Sequence, residues 1–223
     1  MSHGATQRVG ELRERSAQRL IRDVAREHGL EFASCLDIGC GRAKWQQWFE
    51  GFAHARKPHT YIGLETDAEM VAEARARGVD VRDPTGDAGE CASDLTLCIE
   101  VIEHVLPEES AAFFRFAAAN TRKALLLTTP NFEYFDGRRQ KPEYAECRWI
   151  PDHLPFFNPA GGPHSHKQAM TPDNLTGYLA DAFDGDMWDF RVYRAWPWRL
   201  HDLTIDATFE LYFKLFAIAW RRA

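Results

Sequence analysis

The sequence predicts an α/β domain: a mostly parallel sheet with helices on both faces. Three observations carry this. Short apolar segments alternate with amphipathic ones from about residue 8 to residue 127, the pattern of strands joined by helical crossovers. The stretch Leu36-Asp37-Ile38-Gly39-Cys40-Gly41-Arg42-Ala43 runs from an apolar strand, through two glycines spaced by one residue, into a helix. Such a tight turn brings bare backbone close to a ligand. Finally, 45% of the 223 residues are hydrophobic, enough for the core of one domain of roughly 200 residues.

The elements follow in order. Residues 8–28 place Val9, Leu12, Leu20, Ile21 and Val24 at helical spacing between charges. Residues 35–38 form a strand, and 43–56 a helix with Trp45, Trp48, Phe49 and Phe52 along one face, a stripe expected to be core. Residues 61–65 are the next strand, and Asp67 caps a helix that runs to residue 77. Strands are expected at 79–82, 95–99 and 124–127, with a helix opened by Pro107 and reaching residue 120. Residues 130–170, rich in Pro, Gly, Tyr, Phe and His, lack any period. So long an irregular stretch reads as an inserted active-site loop within a single domain spanning residues 1–223. Thr171 and Pro172 restart a helix as N-cap and first-turn residue, 189–196 is a strand, and 208–220 supplies a last one.

Composition narrows the function classes. The net charge of −6 argues against a broad footprint on nucleic acid, though not against contact with a strand end. One compact basic run, Arg138-Arg139-Gln140-Lys141, is available for terminal phosphates. No apolar run approaches the ~18 residues of a membrane span, and residues 1–10 lack a signal-peptide core. The expectation is a cytoplasmic protein without a membrane partner. Five cysteines without a C-x-x-C pair point to reduced thiols, not to a zinc ribbon.

The D-x-G-x-G pattern of Asp37, Gly39 and Gly41, followed by Gly63-Leu64-Glu65 at the end of the next strand, resembles class I S-adenosylmethionine (SAM) methyltransferases. The resemblance implies a Rossmann-like, seven-stranded fold and methyl transfer from SAM. It implies Gly39 and Gly41 at the cofactor turn, Glu65 on the ribose diol and Asp37 near the amino-acid end. For the adenine contact Asp83 is preferred over Asp87. Ala43 stands where a third glycine is common.

A second constellation, Glu100-Val101-Ile102-Glu103-His104, follows the fourth strand. On one helical turn Glu100 would face both Glu103 and His104. Carboxylates gathered at a strand end are costly unless paired or bound to a metal, so Glu100, Glu103 and His104 are the candidate catalytic residues. The same E-V-x-E-H element recurs in many class I enzymes, including ubiquinone-biosynthesis O-methyltransferases. Two further segments are Thr128-Thr129-Pro130-Asn131-Phe132-Glu133-Tyr134 and His166-Lys167-Gln168-Ala169-Met170-Thr171. With the first element they resemble the small-RNA 3′-terminal ribose 2′-O-methyltransferases over about residues 35–180. That resemblance implies a divalent cation, Mn²⁺ or Mg²⁺, on Glu100, Glu103, His104 and His166, with His153 as runner-up. It also implies stacking of a terminal base on Tyr134 or Phe135. The chain departs from that family at Gln168-Ala169-Met170, usually Phe-Glu-Trp, and at Phe135, often Asn. Three functions stay open: methylation of an RNA 3′ end, O- or N-methylation of a small molecule, and a non-catalytic SAM-binding partner protein. A separate protein partner for substrate capture is compatible with the first.

Overall fold

The computed structural model describes residues 3–53, 59–85, 89–132, 160–162, 165–195 and 214–222. Its elements are α1 (His3–Glu27), β1 (Ser34–Ile38), α2 (Trp45–Ala53), β2 (Thr60–Leu64), α3 (Ala68–Ala76), β3 (Val81–Arg82) and β4 (Ser93–Ile99). Two 3₁₀ turns, Ile102–His104 and Pro107–Glu109, lead into α4 (Ser110–Ala119) and β5 (Thr121–Pro130). The rest is α5 (Pro172–Ala182), β6 (Trp188–Ala195) and β7 (Lys214–Arg221). Among the described residues no helix is long and apolar enough to cross a membrane.

Seven strands form one sheet in the order β3-β2-β1-β4-β5-β7-β6. The first five in that order run parallel, and β7 is antiparallel to both of its neighbours. The chain leaves β1 for β2 on one side and meets β4 on the other, so the winding direction reverses between β1 and β4. In open α/β sheets the crevice beyond the carboxyl ends at that point is where ligands bind.

Strand alternation sorts the core into two layers. Cys35, Leu95, Leu97, Leu126 and Ile218 pack against α1, α2 and α3 through Ile21, Phe49 and Val71. Leu36, Cys98, Leu125 and Leu127 face the other way, onto Phe114 of α4 and Leu175 and Leu179 of α5. The aromatic stripe of α2 is core: Trp45 and Phe49 are buried, and Trp48 stacks on Phe52 at 5.1 Å. Cys35, Cys40, Cys91 and Cys98 are free thiols, all buried; Cys147 lies outside the described residues.

Some boundaries differ from the expectation. β5 runs past residue 127 because Thr128, Thr129 and Pro130 pair with β7 and are buried, the two threonine hydroxyls having found carboxylate acceptors in the site. β3 keeps only two of the four expected residues, and the helix expected from Pro107 begins as a 3₁₀ turn. Much of the expected 130–170 loop lies outside the described residues.

Thr171 caps α5 as expected. Its hydroxyl accepts from Asn174 N at 3.3 Å, and the Asn174 side chain accepts from Thr171 N at 2.7 Å. Thr171→Ala is expected to cost about 1 kcal/mol and to lower the melting temperature by roughly 2–4 °C in a thermal denaturation scan.

Candidate functional site

At the winding reversal β1 leaves the sheet through left-handed backbone: Gly39 has φ 68° and Gly41 φ 53°, and Ala43 also adopts φ 51°. Glycine is required at 39 twice over, since a Cβ there would lie 2.5 Å from Val101 Cγ2. The turn is tied to β2: Gly39 N and Cys40 N donate to Leu64 O at 2.8 and 3.0 Å. Glu65, the next residue, accepts from Gly41 N at 2.8 Å through Oε2, and from Thr66 N and Asp67 N at 2.8 and 3.0 Å through Oε1. Its carboxylate therefore stands between the glycine turn and the start of α3.

Asp37 is buried beneath this turn, and the Tyr61 hydroxyl donates to its Oδ2. Burial pushes its pKa up to about 7; the Tyr61 bond opposes the rise and the Glu65 charge adds to it. Two hollows adjoin the turn and share Gly39 and Met70. One, of about 230 Å³, is lined by Asp37, Gly41, Arg42, Lys44 and Trp45 among others. The larger, of about 570 Å³, runs past Leu64, Glu65 and Pro84 to Glu100, Val101, His104, Phe113 and Lys167, a size within the range of small-molecule sites. Asp83 does not line it. Its carboxylate instead closes a turn, accepting from Thr85 N and Oγ1 at 2.8 and 2.7 Å, bonds that hold it below the usual carboxylate range. Asp87 lies outside the described residues.

The second constellation differs from the expected single helical turn. Glu100 has φ 59°, and only Ile102–His104 form a 3₁₀ turn. The left-handed kink sends the Glu100 side chain across the strand ends, where Thr128 Oγ1 donates to it at 3.0 Å and buried Lys214 of β7 pairs with it. Ligand atoms of Glu103, His104 and His166 lie within 4.8 Å of one another, and Glu100 is not in that group. The structure thus brings together three of the four expected ligands and gives the fourth to a lysine. Lys214 escaped the sequence reading. The available signal was a lone lysine in an apolar strand, which needs an anionic partner when buried.

Glu103 is buried, and Thr129 Oγ1 donates to its Oε2 at 3.1 Å. Burial first and the Glu100 charge second push its pKa up to about 8, against Lys214 and the hydrogen bonds it accepts. His104 Nδ1 lies 3.1 Å from Ser165 O. A carbonyl can only accept, so Nδ1 is the donor in this contact. The His104 and His166 rings are 5.2 Å apart at 67°. His166 arrives on a segment fastened to the turn: Lys167 N and Gln168 N donate to Glu103 O, and the Gln168 amide donates to Ile102 O and Val105 O. Tyr134, Phe135, Arg138, Arg139, Lys141 and His153 lie outside the described residues.

Comparison with known proteins fits this geometry. Residues 9–182 match the family described as methyltransferase domain. The ubiquinone biosynthesis O-methyltransferase of Bradyrhizobium diazoefficiens is 26% identical over 186 residues, 78% of this chain and 67% of that protein. Among solved structures, the plantazolicin methyltransferase BamL, in complex with a triazolic desmethylPZN analog and SAH, superposes with a TM-score of 0.68 at 11% identity. That match covers 100% of this chain and 90% of that one. The small RNA methyltransferase HEN1 superposes with a TM-score of 0.58 at 18% identity, over 93% of this chain and 25% of that one. At these identities the structural matches speak for the fold.

Asp37 gives a signed prediction. Its folded pKa of about 7 exceeds the ordinary 3.8. Its contribution to cofactor-free stability is therefore full below about pH 4 and is lost as pH rises through about 7. In thermal melts, Asp37→Asn is expected to match the wild type only below about pH 4 and to gain on it as pH rises from there to about 7. Near pH 8 it should melt higher by at least roughly 2–4 °C, the shift of about 1 kcal/mol in a chain of this size.

Proposed function

The chain belongs to the methyltransferase-domain family and is a SAM-dependent methyltransferase, and on that premise we propose that it methylates a hydroxyl oxygen presented at a divalent cation on Glu103, His104 and His166. The observation that carries this is the approach of those three ligand atoms to within 4.8 Å of one another, with His104 also lining the cleft that Gly39 and Glu65 line.

When bound, SAM supplies an electrophilic methyl group. Gly39 and Gly41 would form the turn that seats it, the Glu65 carboxylate, already accepting from three backbone N–H groups, would also face its ribose, and Asp37, in the adjoining hollow, would face its amino-acid end. When bound, a divalent cation supplies Lewis acidity to a hydroxyl and fixes a neighbouring oxygen beside it. One carboxylate and two imidazoles form a mixed O/N set, suited to Mn²⁺, Fe²⁺, Co²⁺ or Zn²⁺ more than to Mg²⁺. Three protein ligands leave positions open for an acceptor. Ser165 O orients His104, as an outer partner does for a ligating imidazole. Glu100, engaged by Lys214 and Thr128, stands behind Glu103 as a charge that is already paired.

The acceptor favoured first is the terminal ribose of an RNA 3′ end, whose 2′ and 3′ oxygens are adjacent. It is supported by the joint presence of E-x-x-E-H, T-T-P-N-x-E-Y and His166. The net charge of −6 suits a grip on a terminus better than on a duplex. A small-molecule hydroxyl is the second reading, supported by the 26% identity to ubiquinone biosynthesis O-methyltransferases.

Methyl transfer from labelled SAM in the presence of Mn²⁺ separates the two. The RNA reading expects label on short RNAs ending in a 2′-hydroxyl and none on 2′-deoxy ends. Glu103→Gln and His166→Ala should each slow transfer on the order of 10²–10³-fold, the scale of losing a positioned electrostatic group, with SAM affinity unchanged. Equal labelling of both ends, or of neither while a phenolic acceptor is labelled, would transfer the assignment to the small molecule. Transfer indifferent to chelators with every acceptor would remove the cation from the account.

A further inference from the structure

His166 reaches the site on a segment, residues 165–170, that is neither helix nor strand. Its position relative to Glu103 and His104 must therefore come from specific bonds. Backbone bonds from Lys167 N and Gln168 N to Glu103 O supply part of them, and the Gln168 side chain supplies the rest of those described. It is buried, and its Nε2 lies 2.7 Å from Ile102 O, 3.0 Å from Val105 O and 2.7 Å from Ser110 Oγ. Two of those acceptors are carbonyls, which fixes the amide with its NH₂ inward. Ser110, itself fully buried at the start of α4, passes the chain of bonds on to Leu106 O. One amide thus bonds on both sides of the turn that carries Glu103 and His104, two residues after the histidine that must meet them.

We propose that Gln168 is a positioning residue for the cation site: it sets the spacing of His166 from Glu103 and His104 without touching the cation. This rests on the metal reading above. The physical requirement is a donor, since Ile102 O and Val105 O can only accept. A carboxylate of the same shape at 168 places charge against two carbonyl dipoles, and a thioether of similar length fills the space with no donor at all. Either change frees the segment to shift, and the ligand spacing shifts with it. Outer-shell partners of this kind are worth about 10–100-fold in metal affinity.

The test is Mn²⁺ affinity of the full chain, read from the paramagnetic resonance of free Mn²⁺, alongside SAM affinity by calorimetry. Gln168→Met and Gln168→Glu are expected to weaken Mn²⁺ binding by about 10–100-fold with SAM binding unchanged. Saturating Mn²⁺ should restore the rate of methyl transfer, a recovery that general loss of structure would not give. Ser110→Ala, which removes one acceptor and keeps both carbonyls, should weaken Mn²⁺ binding by less. Wild-type Mn²⁺ affinity in Gln168→Met overturns the proposal and leaves the metal site standing. A wild-type chain that binds no Mn²⁺ overturns both. Should the Gln168 variants lose SAM binding too, Ser110→Ala decides: a weakened Mn²⁺ affinity alone supports the role, and an unchanged one rejects it.

Discussion

The contact between Gly39 and Val101 is the constraint on which the rest of the site depends. Val101 fills the space that any side chain at residue 39 would need, so the ends of β1 and β4 can close on each other only across a glycine. Both strands leave the sheet through left-handed backbone, at Gly39 and at Glu100. Glycine adopts that conformation freely. Glutamate does so at a cost of about 1–3 kcal/mol, met only where the surroundings over-determine it. Here they do: Glu100 N donates to Thr128 O at 3.0 Å, and its side chain is held by Thr128 and Lys214. The kink that results turns Val101 onto the glycine and starts the 3₁₀ turn that carries Glu103 and His104. The glycine turn and the candidate cation site are therefore packed against each other through Gly39 and Val101.

Charge sets the second level of order. Three carboxylates, Asp37, Glu100 and Glu103, cluster at the carboxyl ends of two adjacent strands, and Lys214 pairs with Glu100. For Asp37 and Glu103 desolvation outweighs the hydrogen bonds from Tyr61 and Thr129, and both carboxyls are raised toward neutrality. Such groups are poorly placed for stability and well placed for a ligand that brings positive charge, a sulfonium beside one and a divalent cation beside the other. The strained and desolvated part of the fold is the part that the proposed function uses.

What was legible in the sequence was what local chemistry dictates. The glycine spacing, the Asp67 and Thr171 caps, the aromatic stripe of α2 and the strand–helix rhythm each follow from a few neighbouring residues, and each appears in the structure. The errors fall where a distant partner decides. The spacing puts Glu100 on a helical face, yet it is claimed by Lys214, 114 residues away in the chain. Gln168, noted only as a departure from a family pattern, bonds across 66 residues to Ile102. No periodicity encodes such pairings; they become visible when the sheet brings strand ends together.

The most direct measurement of this account is the nuclear relaxation of an isotope-labelled S-methyl carbon in SAM bound to the chain, with and without Mn²⁺. If the two sites meet across Gly39 and Val101, bound Mn²⁺ will strongly shorten the relaxation time of that carbon, and His166→Ala will abolish the effect. A methyl carbon that relaxes identically with and without Mn²⁺, while both ligands are shown to be bound, would contradict it.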